Sequence, residues 1–582
     1  MVKAMAKGLK GVFILSLRRL YLLMSFFLLL YMILVLRIAY FQVIKGQDLA
    51  AQATAMRSQG IRLSEYSRGE ILDRNYQPLT GSYTSTALYG LPAGMRSNRS
   101  VSDKVYGRDT LQVTGEILGQ ILDKQDSKAI QEQLRLAAKN GTTFVRIASD
   151  LSEAEVQRVI SHNLPGITVA PLIKRYRQDG FCCHVLGYVG GYQNNEGQAG
   201  IEKRYNALLQ KGSSPQELLS VYDARGALIK GLNFKFYEEE DRARGSVVLT
   251  IDKRIQEIVE EEISAQVKSG AVVVMDVDSR EVLAMASRPS FNPYHIEYLL
   301  KHDQNSSLIN RALSRYHPGS LFKILVTTAA LEENLVSERD KFHCSGKYVF
   351  NETQSTSCWK EEGHGELSFA QAFACSCNPS FIEVGQRLGR EKLLTYVDKL
   401  HLCDETLLGY AYHPGSYVRI NPGKIALSNA CLGQEGVMLS PLQISSLLAT
   451  VADDGLWQAP SLLRYTINSK GERSRIASSR KERVISPETA GKVQELMELV
   501  VSEGTGKNAA LAEIKVAGKT ASSETGNWKE DGEQSLDTWF GGYFPADNPR
   551  WVVLVLVQEG ESGAVDAAPV FKNIAREMLK IL

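Results

Sequence analysis

An uncharged apolar segment near the N-terminus constrains this chain more than any other feature of its sequence. Residues 20–36 contain no charged side chain, and the apolar character resumes at residues 38–41. A helix of this length spans roughly 25 Å, close to the thickness of a bilayer core. The segment is longer than the apolar region of a signal peptide, and no small-residue cleavage site follows directly. We therefore expect an uncleaved transmembrane anchor over residues 20–41, with a cleaved signal peptide as the alternative.

The charges around this segment predict its orientation. Positively charged flanks remain in the cytoplasm. We therefore expect a single-pass protein of the cytoplasmic membrane, with a cytoplasmic tail at residues 1–19 and everything after the anchor outside. The tail has no acidic residue, and its basic residues are Lys3, Lys7, Lys10, Arg18 and Arg19.

Composition excludes several classes of protein. The chain has 582 residues, of which 44% are hydrophobic and 23% are charged, as in globular proteins. Its net charge is only +2, whereas nucleic-acid binders carry a concentrated basic surplus. We therefore expect several folded domains and no nucleic-acid partner.

The exported part divides at a charge-rich stretch, residues 238–244. Residues before it mix charged helical patterns with short β-like runs. After it, strand patterns at residues 246–251 and 270–287 precede a long helical middle. A second strand pair at residues 538–558 and a final helix close the chain. This order predicts one α/β domain whose sheet is assembled from both ends of its sequence.

A serine and a lysine follow residue 317 in a pattern that suits nucleophilic catalysis. Proline and glycine precede Ser320, and Lys323 comes three residues later. This spacing puts both side chains on one helix face, and a desolvated amine there can take the hydroxyl proton. The tetrapeptide alone is a weak signal, because a solvated helix face can carry the same residues.

Two further motifs offer partners for this pair. Ser376 and Asn378 stand where a helix-like segment enters a loop, and they offer a hydroxyl and an amide to the same side. A Lys-Thr-Ala-Ser sequence that begins at Lys519 follows a short strand signal. Because alternate strand residues share a face, we expect Thr520 and Ser522 to point the same way. With the lysine nearby, that strand is a suitable receptor for a substrate carboxylate.

The order Ser-x-x-Lys, Ser-x-Asn, Lys-Thr-small resembles the signature of the penicillin-recognising serine transferases and hydrolases. Further motifs resemble one branch, the class B penicillin-binding proteins, which are monofunctional peptidoglycan D,D-transpeptidases. The resemblance covers nearly all of residues 43–582. These motifs are RGEILDRN from Arg68, GIE from Gly200, LTID from Leu249, NRA from Asn310, GQ from Gly433, SPLQ from Ser440, EGTG from Glu503 and WFGGY from Trp539.

The resemblance implies the architecture. We expect an α/β (α+β) transpeptidase domain of the serine β-lactamase and penicillin-binding type at residues 246–582. Before it we expect the single transmembrane helix and an elongated mixed α+β pedestal or dimerisation-type domain at residues 42–245.

The resemblance also implies roles for the motif residues. Ser320 would attack the carbonyl between the two terminal D-alanines of a stem peptide, with Lys323 as its base. Ser376 would pass the proton to the leaving amine, and Asn378 would hold the peptide backbone. Lys519 would maintain the required protonation states through its field. The substrate carboxylate would be bound by Thr520 and Ser522, and the backbone N–H groups of Ser320 and Ser522 would form the oxyanion hole.

The third motif departs from the family at one position. Glycine normally follows Lys-Thr, and this chain has Ala521, which we also count among the substrate-binding residues. A glycine lets substrate backbone approach a strand closely. We therefore hypothesise that the added methyl group crowds the groove and slows acylation or narrows the substrate range.

The sequence leaves the chemical state of the cysteines open. Cys344 and Cys358 either form a disulfide or remain reduced. Cys375 and Cys377 flank Ser376, but a C-x-C sequence without a second ligand pair is weak evidence for metal. We interpret His364 as part of a turn near the rim of the site. We expect no metal ion and no organic cofactor.

The implied function is cross-linking of peptidoglycan stem peptides in division, elongation or sporulation, with inhibition by β-lactams. No second catalytic domain precedes residue 245, so we expect a separate membrane glycan polymerase and other cell-wall synthesis proteins as partners. One alternative is a catalytically weak β-lactam-binding sensor or scaffold, although such sensors usually have several membrane spans. Another is a D,D-carboxypeptidase, in which water replaces the acceptor amine.

Overall fold

The described part of the chain forms two compact units. The computed structural model describes residues 2–46, 48–49, 58–62, 68–81, 83–91, 110–122, 126–140, 145–164, 166–190, 196–210, 217–222, 228–237, 245–403, 418–528 and 532–581. One unit comprises residues 1–64, 85–172 and 215–239, and the other comprises 65–84, 173–214 and 240–582. The charge-rich stretch 238–244 lies outside the described residues.

The first unit begins with a long helix. It covers Val2–Ala39 and continues as a π-helical turn, Tyr40–Ile44. Its segment Arg18–Ile44 has a mean hydropathy of 2.5, and none of the most apolar stretch is buried against protein. The helix is therefore long and apolar enough to cross a membrane, and it contains the predicted anchor.

The rest of the first unit mixes sheets and helices. One sheet has the strand order Val145–Ser149, Tyr83–Gly90, Ile167–Lys174, and another has the order Ser58–Arg62, Glu217–Tyr222, Leu228–Tyr237. Leu118 and Leu134 are fully buried in the core of this unit. Among the described residues of this unit, the helices after the N-terminal one are Thr110–Ile121, Ser127–Lys139 and Glu153–His162.

The second unit is built on a five-stranded antiparallel sheet. The strands lie in the order Val282–Arg288, Gly270–Asp276, Trp551–Gly560, Gln534–Phe544 and Ala517–Trp528. The outer strands therefore come from opposite ends of the domain sequence, as the strand patterns predicted.

Both faces of this sheet are buried, because its side chains alternate between two hydrophobic cores. Val273 and Met275 belong to one core, which also contains Leu325 of the helix Lys323–Glu332. Val272 and Val274 belong to the other. Successive side chains of a strand point to opposite faces, so each face can bury its own layer of helices. The second core is closed by the helices Lys253–Gln266 and Ala568–Ile581.

The remaining elements of the second unit surround this sheet. A four-stranded sheet has the order Arg473–Arg475, Leu463–Ile467, Ser246–Leu249, Ile71–Leu72. Three strand pairs are Lys341–Cys344 with Gly365–Ser368, Lys347–Asn351 with Gln354–Ser357, and Leu456–Trp457 with Glu482–Arg483. The other helices are Cys183–Leu186, Gly200–Arg204, Asn206–Gln210, Ile296–His302, Phe369–Ala374, Asn378–Leu388, Arg390–Lys399, Lys424–Cys431, Pro441–Ala452 and Pro487–Ser502, with 3-10 turns at Gly319–Phe322 and Lys507–Ala509 and a π-helical turn at Gly563–Ala567.

A buried ion cluster joins two of the sequence motifs inside the second unit. Arg68 Nε donates to Glu202 Oε2 at 3.0 Å, and both side chains are completely buried. Arg175 also pairs with Glu202, and its NH2 group donates to the Gly69 carbonyl at 3.0 Å. The glutamate is thus shared by two guanidinium groups, which satisfies its charge away from water.

Candidate active site

Ser320 lies in a tight turn that leads into a buried helix. The turn is the 3-10 segment Gly319–Phe322, and the helix Lys323–Glu332 follows it directly. Gly319 has a φ of +53°, and an added Cβ would lie 2.9 Å from the Ser522 carbonyl oxygen. Glycine is therefore needed at this position for the turn to adopt its backbone conformation beside the Ser522 strand.

Ser376 hydrogen-bonds Ser320 from a separate element. It follows the helix Phe369–Ala374 and has a left-handed backbone with a φ of 57°. Its Oγ donates to Ser320 Oγ at 2.9 Å. Asn378 is the first residue of the next helix, Asn378–Leu388, so a short connection presents both polar side chains.

The Lys323 amine connects the first two motifs. Its Nζ donates to the Ser376 carbonyl oxygen at 2.9 Å, to Ser376 Oγ at 3.2 Å and to Asn378 Oδ1 at 2.8 Å. Lys323 is completely buried, and this burial lowers the pKa of its amine to about 8. An amine with this pKa exchanges protons readily near neutral pH.

Lys519 contributes a second buried amine. Its side chain is completely buried, and burial together with the charge of Lys323 holds its pKa well below the usual range. Its Nζ donates to the Thr520 carbonyl at 3.3 Å. The charge of Lys323 thus disfavours protonation of the Lys519 amine.

The third motif lies on the edge strand Ala517–Trp528. Its regular register against Gln534–Phe544 puts Thr520 and Ser522 on one face, as predicted, and Lys519 on the other. The Thr520 hydroxyl lies 2.6 Å from that of Thr505, and Ser522 Oγ accepts a hydrogen bond from the Gly563 N–H at 3.2 Å. The structure therefore gathers the three motifs around the Ser320 turn.

Comparison with known families identifies this domain. The family model described as "Penicillin binding protein transpeptidase domain" matches residues 270–576, which is more than half of the chain. The chain belongs to the penicillin-binding protein transpeptidase family. A second model, "Penicillin-binding Protein dimerisation domain", matches residues 64–233. With both domains present, the chain is a class B penicillin-binding protein, and the predicted fold class is confirmed.

Individual relatives agree with this assignment. Stage V sporulation protein D of Bacillus subtilis is 29% identical over 97% of this chain and 85% of its own length. Peptidoglycan D,D-transpeptidase FtsI of Escherichia coli K12 is 25% identical over 94% of this chain and 89% of its own. A crystal structure of the D,D-transpeptidase domain of a peptidoglycan glycosyltransferase from Eggerthella lenta has a TM-score of 0.57 and 28% identity. The match covers 71% of this chain and 93% of the chain in that crystal structure.

In this penicillin-binding protein the unusual Ala521 points into the core. Ala521 is 4% exposed and belongs to the same buried cluster as Trp539, its partner on the neighbouring strand. Its methyl group is therefore covered by protein and does not line an open groove, which argues against the crowding hypothesis.

Thr505 is a polar partner of the site that the sequence did not single out as a site residue. It belongs to the Glu-Gly-Thr-Gly motif, which formed part of the family resemblance. That motif was the sequence feature from which Thr505 could have been predicted as a site residue. Its backbone N–H donates to the Ala374 carbonyl at 3.2 Å, so it links the second and third motifs.

The sequence also missed a side-chain cluster beside Ser376. All eight cysteines carry free thiols. Three of them, Cys344, Cys358 and Cys377, converge with His364, and their potential ligand atoms all lie within 4.8 Å of one another. These four residues could hold a metal ion. They lie between residues 344 and 377 but on separate elements, so the spacing of the two residues in Cys-x-Cys gave no indication of the set.

Proposed function

We propose that this chain is a serine D,D-transpeptidase that cross-links peptidoglycan stem peptides through an acyl-enzyme on Ser320. The observation that carries the proposal is the position of the Ser376 hydroxyl. It lies 2.9 Å from Ser320 Oγ and 3.2 Å from Lys323 Nζ, so it bridges a nucleophile and a buried amine.

The hydrogen bonds of Lys323 indicate a route for the proton. Two of its three acceptors, the Ser376 carbonyl and Asn378 Oδ1, have no proton to give. Only the Ser376 hydroxyl can both accept from the ammonium and donate to the neutral amine. As Ser320 Oγ attacks, its proton therefore passes through Ser376 to Lys323.

The same route runs in reverse to complete acylation. The Ser320 Oγ–carbon bond forms, the peptide C–N bond breaks, and Lys323 returns the proton through Ser376 to the departing amine of D-alanine. Asn378 holds Lys323 in place through Oδ1, while its Nδ2 donates to the Ser357 carbonyl at 3.2 Å. An acceptor amine from a second stem peptide then attacks the ester, releases Ser320 and forms the cross-link.

The third motif would bind the substrate. Thr520 and Ser522 present hydroxyls from one face of an edge strand, and the buried amine of Lys519 lies on the opposite face of the same strand. Two hydroxyls on one strand face suit the terminal carboxylate of the stem peptide. The N–H groups of Ser320 and Ser522 would form the oxyanion hole, and losing one such donor typically costs about 3–4 kcal/mol of transition-state stabilisation. β-Lactams would enter the same site and acylate the same serine.

We also propose the cellular arrangement. The basic tail at residues 1–19 would stay in the cytoplasm, the anchor at residues 20–41 would cross the membrane once, and the pedestal (42–245) and transpeptidase (246–582) would be exported. The apolar helix and the two matched family ranges support this arrangement. A membrane glycan polymerase would supply the glycan strands.

A fluorescent penicillin tests the acyl-enzyme. We expect the full-length chain in detergent micelles to gain the mass of one penicillin, with the label in the peptide that contains Ser320. Ser320→Ala should remain unlabelled, and Ser474→Ala, which changes an exposed serine of the small strand Arg473–Arg475, should label normally. Label that persists in Ser320→Ala would refute the proposal.

Product analysis with a stem peptide and an amine acceptor then separates the two enzymatic outcomes. A transferred peptide supports the transpeptidase, and only released D-alanine would identify a carboxypeptidase. A stable penicillin adduct without any peptide turnover would indicate the sensor or scaffold.

A further inference from the structure

A buried hydroxyl joins the segment that carries the nucleophile, residues 317–322, to the strand of the third motif. We call this segment the nucleophile turn. Ser523 directly follows Ser522 on that strand and is 1% exposed. Its Oγ donates to the His317 carbonyl oxygen at 2.7 Å, three residues before Ser320. The bond thus connects the two segments that carry Ser320 and Ser522, and none of the acyl-transfer steps uses it.

The surroundings of the Ser523 hydroxyl determine where its proton points. A serine hydroxyl has one proton to donate and two lone pairs. The His317 carbonyl oxygen lies 2.7 Å from Oγ, whereas the Asp537 carbonyl oxygen lies 3.3 Å away. Trp539 Nε1 donates to the same Oγ at 3.4 Å and engages a lone pair. The proton is therefore directed to His317, at the usual distance of an O–H···O hydrogen bond.

The nucleophile turn otherwise meets this strand through packing. In the part of the chain that the structure describes, no other hydrogen bond joins the two segments. A Cβ added to Gly319 would lie 2.9 Å from the Ser522 carbonyl oxygen and 3.3 Å from Ser523 Cβ. Packing limits how closely the segments approach, whereas a directional hydrogen bond also limits how far they separate or slide. Ser523 supplies this second restraint.

A separate loop also holds the nucleophile turn. The Gly319 N–H donates to the Gly433 carbonyl at 2.9 Å, and His317 Nδ1 lies 2.7 Å from the Val437 carbonyl oxygen. These bonds keep the turn folded, but they do not connect it to the third motif. Loss of the Ser523 hydroxyl should therefore leave the turn intact and free its contact with the strand.

The placement of the turn on the strand matters because the proposed oxyanion hole spans both segments. One donor would be the N–H of Ser320 on the turn, and the other would be the N–H of Ser522 on the strand. The developing oxyanion must lie about 2.7–3.1 Å from its donors. A shift of one segment against the other changes the spacing of the donors, and a displacement of about 1 Å can slow a reaction about 10²-fold.

We propose that Ser523 is a positioning residue that sets the spacing of the two oxyanion-hole donors by anchoring the His317 carbonyl to the third-motif strand. Its side chain is buried and its proton is committed to His317, so it does not contact the substrate. Its effect belongs to the step in which negative charge develops on the attacked carbonyl oxygen. This role rests on the proposed function, because acyl transfer to Ser320 defines the oxyanion hole.

Acylation over a range of penicillin concentrations tests this role. Saturation kinetics on the full-length chain in detergent micelles separates the dissociation constant of the non-covalent complex from the rate constant of acylation. We expect Ser523→Ala to lower the rate constant by about 10-fold or more and to keep the dissociation constant within about twofold. A rate constant within about twofold of wild type would overturn the proposal.

Thr525→Val is the matched control for this measurement. Thr525 lies two residues further along the same strand, and its Oγ1 donates to the Ser535 carbonyl at 3.0 Å. The change removes a hydroxyl-to-carbonyl bond of the same kind, but one that joins the strand to its neighbour. We expect the control to acylate at the wild-type rate. An equal loss in both variants would identify general loosening of the strand as the cause and would refute the positioning role.

A boronic acid tests the oxyanion hole itself. Phenylacetamidomethyl boronic acid carries the side chain of benzylpenicillin, and its boron adds reversibly to a serine hydroxyl. The tetrahedral adduct places one oxygen where the oxyanion of acyl transfer would lie. The affinity of Ser523→Ala for this compound should fall by about the same factor as its acylation rate constant. Unchanged affinity beside slow acylation would locate the defect elsewhere and contradict the proposal.

A second variant keeps the role testable if Ser523→Ala does not fold. Ser523→Cys keeps a side chain of similar shape with a weaker donor, and its longer sulfur bond would move the turn. It should acylate more slowly than wild type, and a wild-type rate would count against the proposal. If the wild-type chain never forms an adduct at Ser320, the proposed function fails and this role fails with it. If wild type and Ser523→Ala label equally, only this inference fails.

Discussion

Ser376 Oγ lies 2.9 Å from Ser320 Oγ, although 56 residues separate the two serines in sequence. Ser376 has a left-handed backbone, and its hydroxyl donates to the nucleophile at the start of the other helix. We therefore expect Ser376→Ala to break the proton route. Acylation by penicillin should slow by about 10²-fold or more, as for loss of a general acid–base group. Stopped-flow or quenched labelling would measure it, and a rate within twofold of wild type would contradict the relay.

The buried amine of Lys323 predicts a pH dependence. Its pKa is lowered to about 8, chiefly by burial, with Lys519 and the thiols of Cys358, Cys375 and Cys377 as the ionisable groups around it. Catalysis needs the neutral amine, so protonation below this pKa removes the base. The rate constant of acylation should rise about tenfold per pH unit below about pH 8 and level off above it.

Labelling of Ser320 between pH 6 and pH 10 would measure this profile. Lys323→Arg is the informative variant, because a guanidinium keeps the charge and cannot lose its proton in this range. It should label very slowly at every pH. A wild-type rate that stays constant from pH 6 to pH 9 would exclude Lys323 as the group that titrates.

The buried methyl group of Ala521 predicts a result opposite to the crowding hypothesis. Ala521 is 4% exposed and packs in the core with Trp539. Replacing it with glycine removes packing and adds backbone freedom. We expect Ala521→Gly to lower the free energy of unfolding by about 0.5–1 kcal/mol and to leave penicillin acylation without a gain. Acylation that becomes several-fold faster would instead support crowding.

Removal of the shared anion from the buried ion cluster should strongly destabilise the second unit. Glu202→Ala would leave the guanidinium groups of Arg68 and Arg175 buried without their anion. We expect a loss of about 3–5 kcal/mol in the free energy of unfolding, measured with guanidinium chloride and tryptophan fluorescence on the full chain.

An exposed ion pair provides the control for this measurement. Lys492 Nζ lies 2.7 Å from Glu488 Oε1, and the glutamate side chain is 80% exposed. Glu488→Ala should leave the unfolding midpoint unchanged, because water solvates the remaining charge. If both variants lost the same stability, burial would not be the reason for the effect.

Much of the fold could be predicted because its signals are local. Successive side chains of the central strands point alternately to two cores, and a few neighbouring residues are enough to identify a strand of this kind. The i, i+3 spacing of Ser320 and Lys323 and the uncharged N-terminal segment are local in the same sense. The order of the motifs supplied the family, and with it the expected roles of Ser376, Asn378 and Lys519.

Distances between motifs could not be predicted in this way. The sequence suggested that Lys323 takes the proton of Ser320, whereas the hydrogen bonds of the folded chain place Ser376 between them. The direction of the Ala521 side chain also depended on the packing of a whole sheet face. Such contacts follow from how helices and strands pack, and short patterns do not encode them.

The amino-acid sequence by itself determined the apolar helix, the main strands of the central sheet and the set of groups available for acyl transfer, because periodicity and residue type act over a few positions. Only the tertiary structure decided which groups touch. It bridged Ser320 to Lys323 through Ser376, and it brought Cys344, Cys358, His364 and Cys377 within 4.8 Å of one another from four separate elements. The physical reason is that these contacts close long loops, which only the burial of the shared core can stabilise.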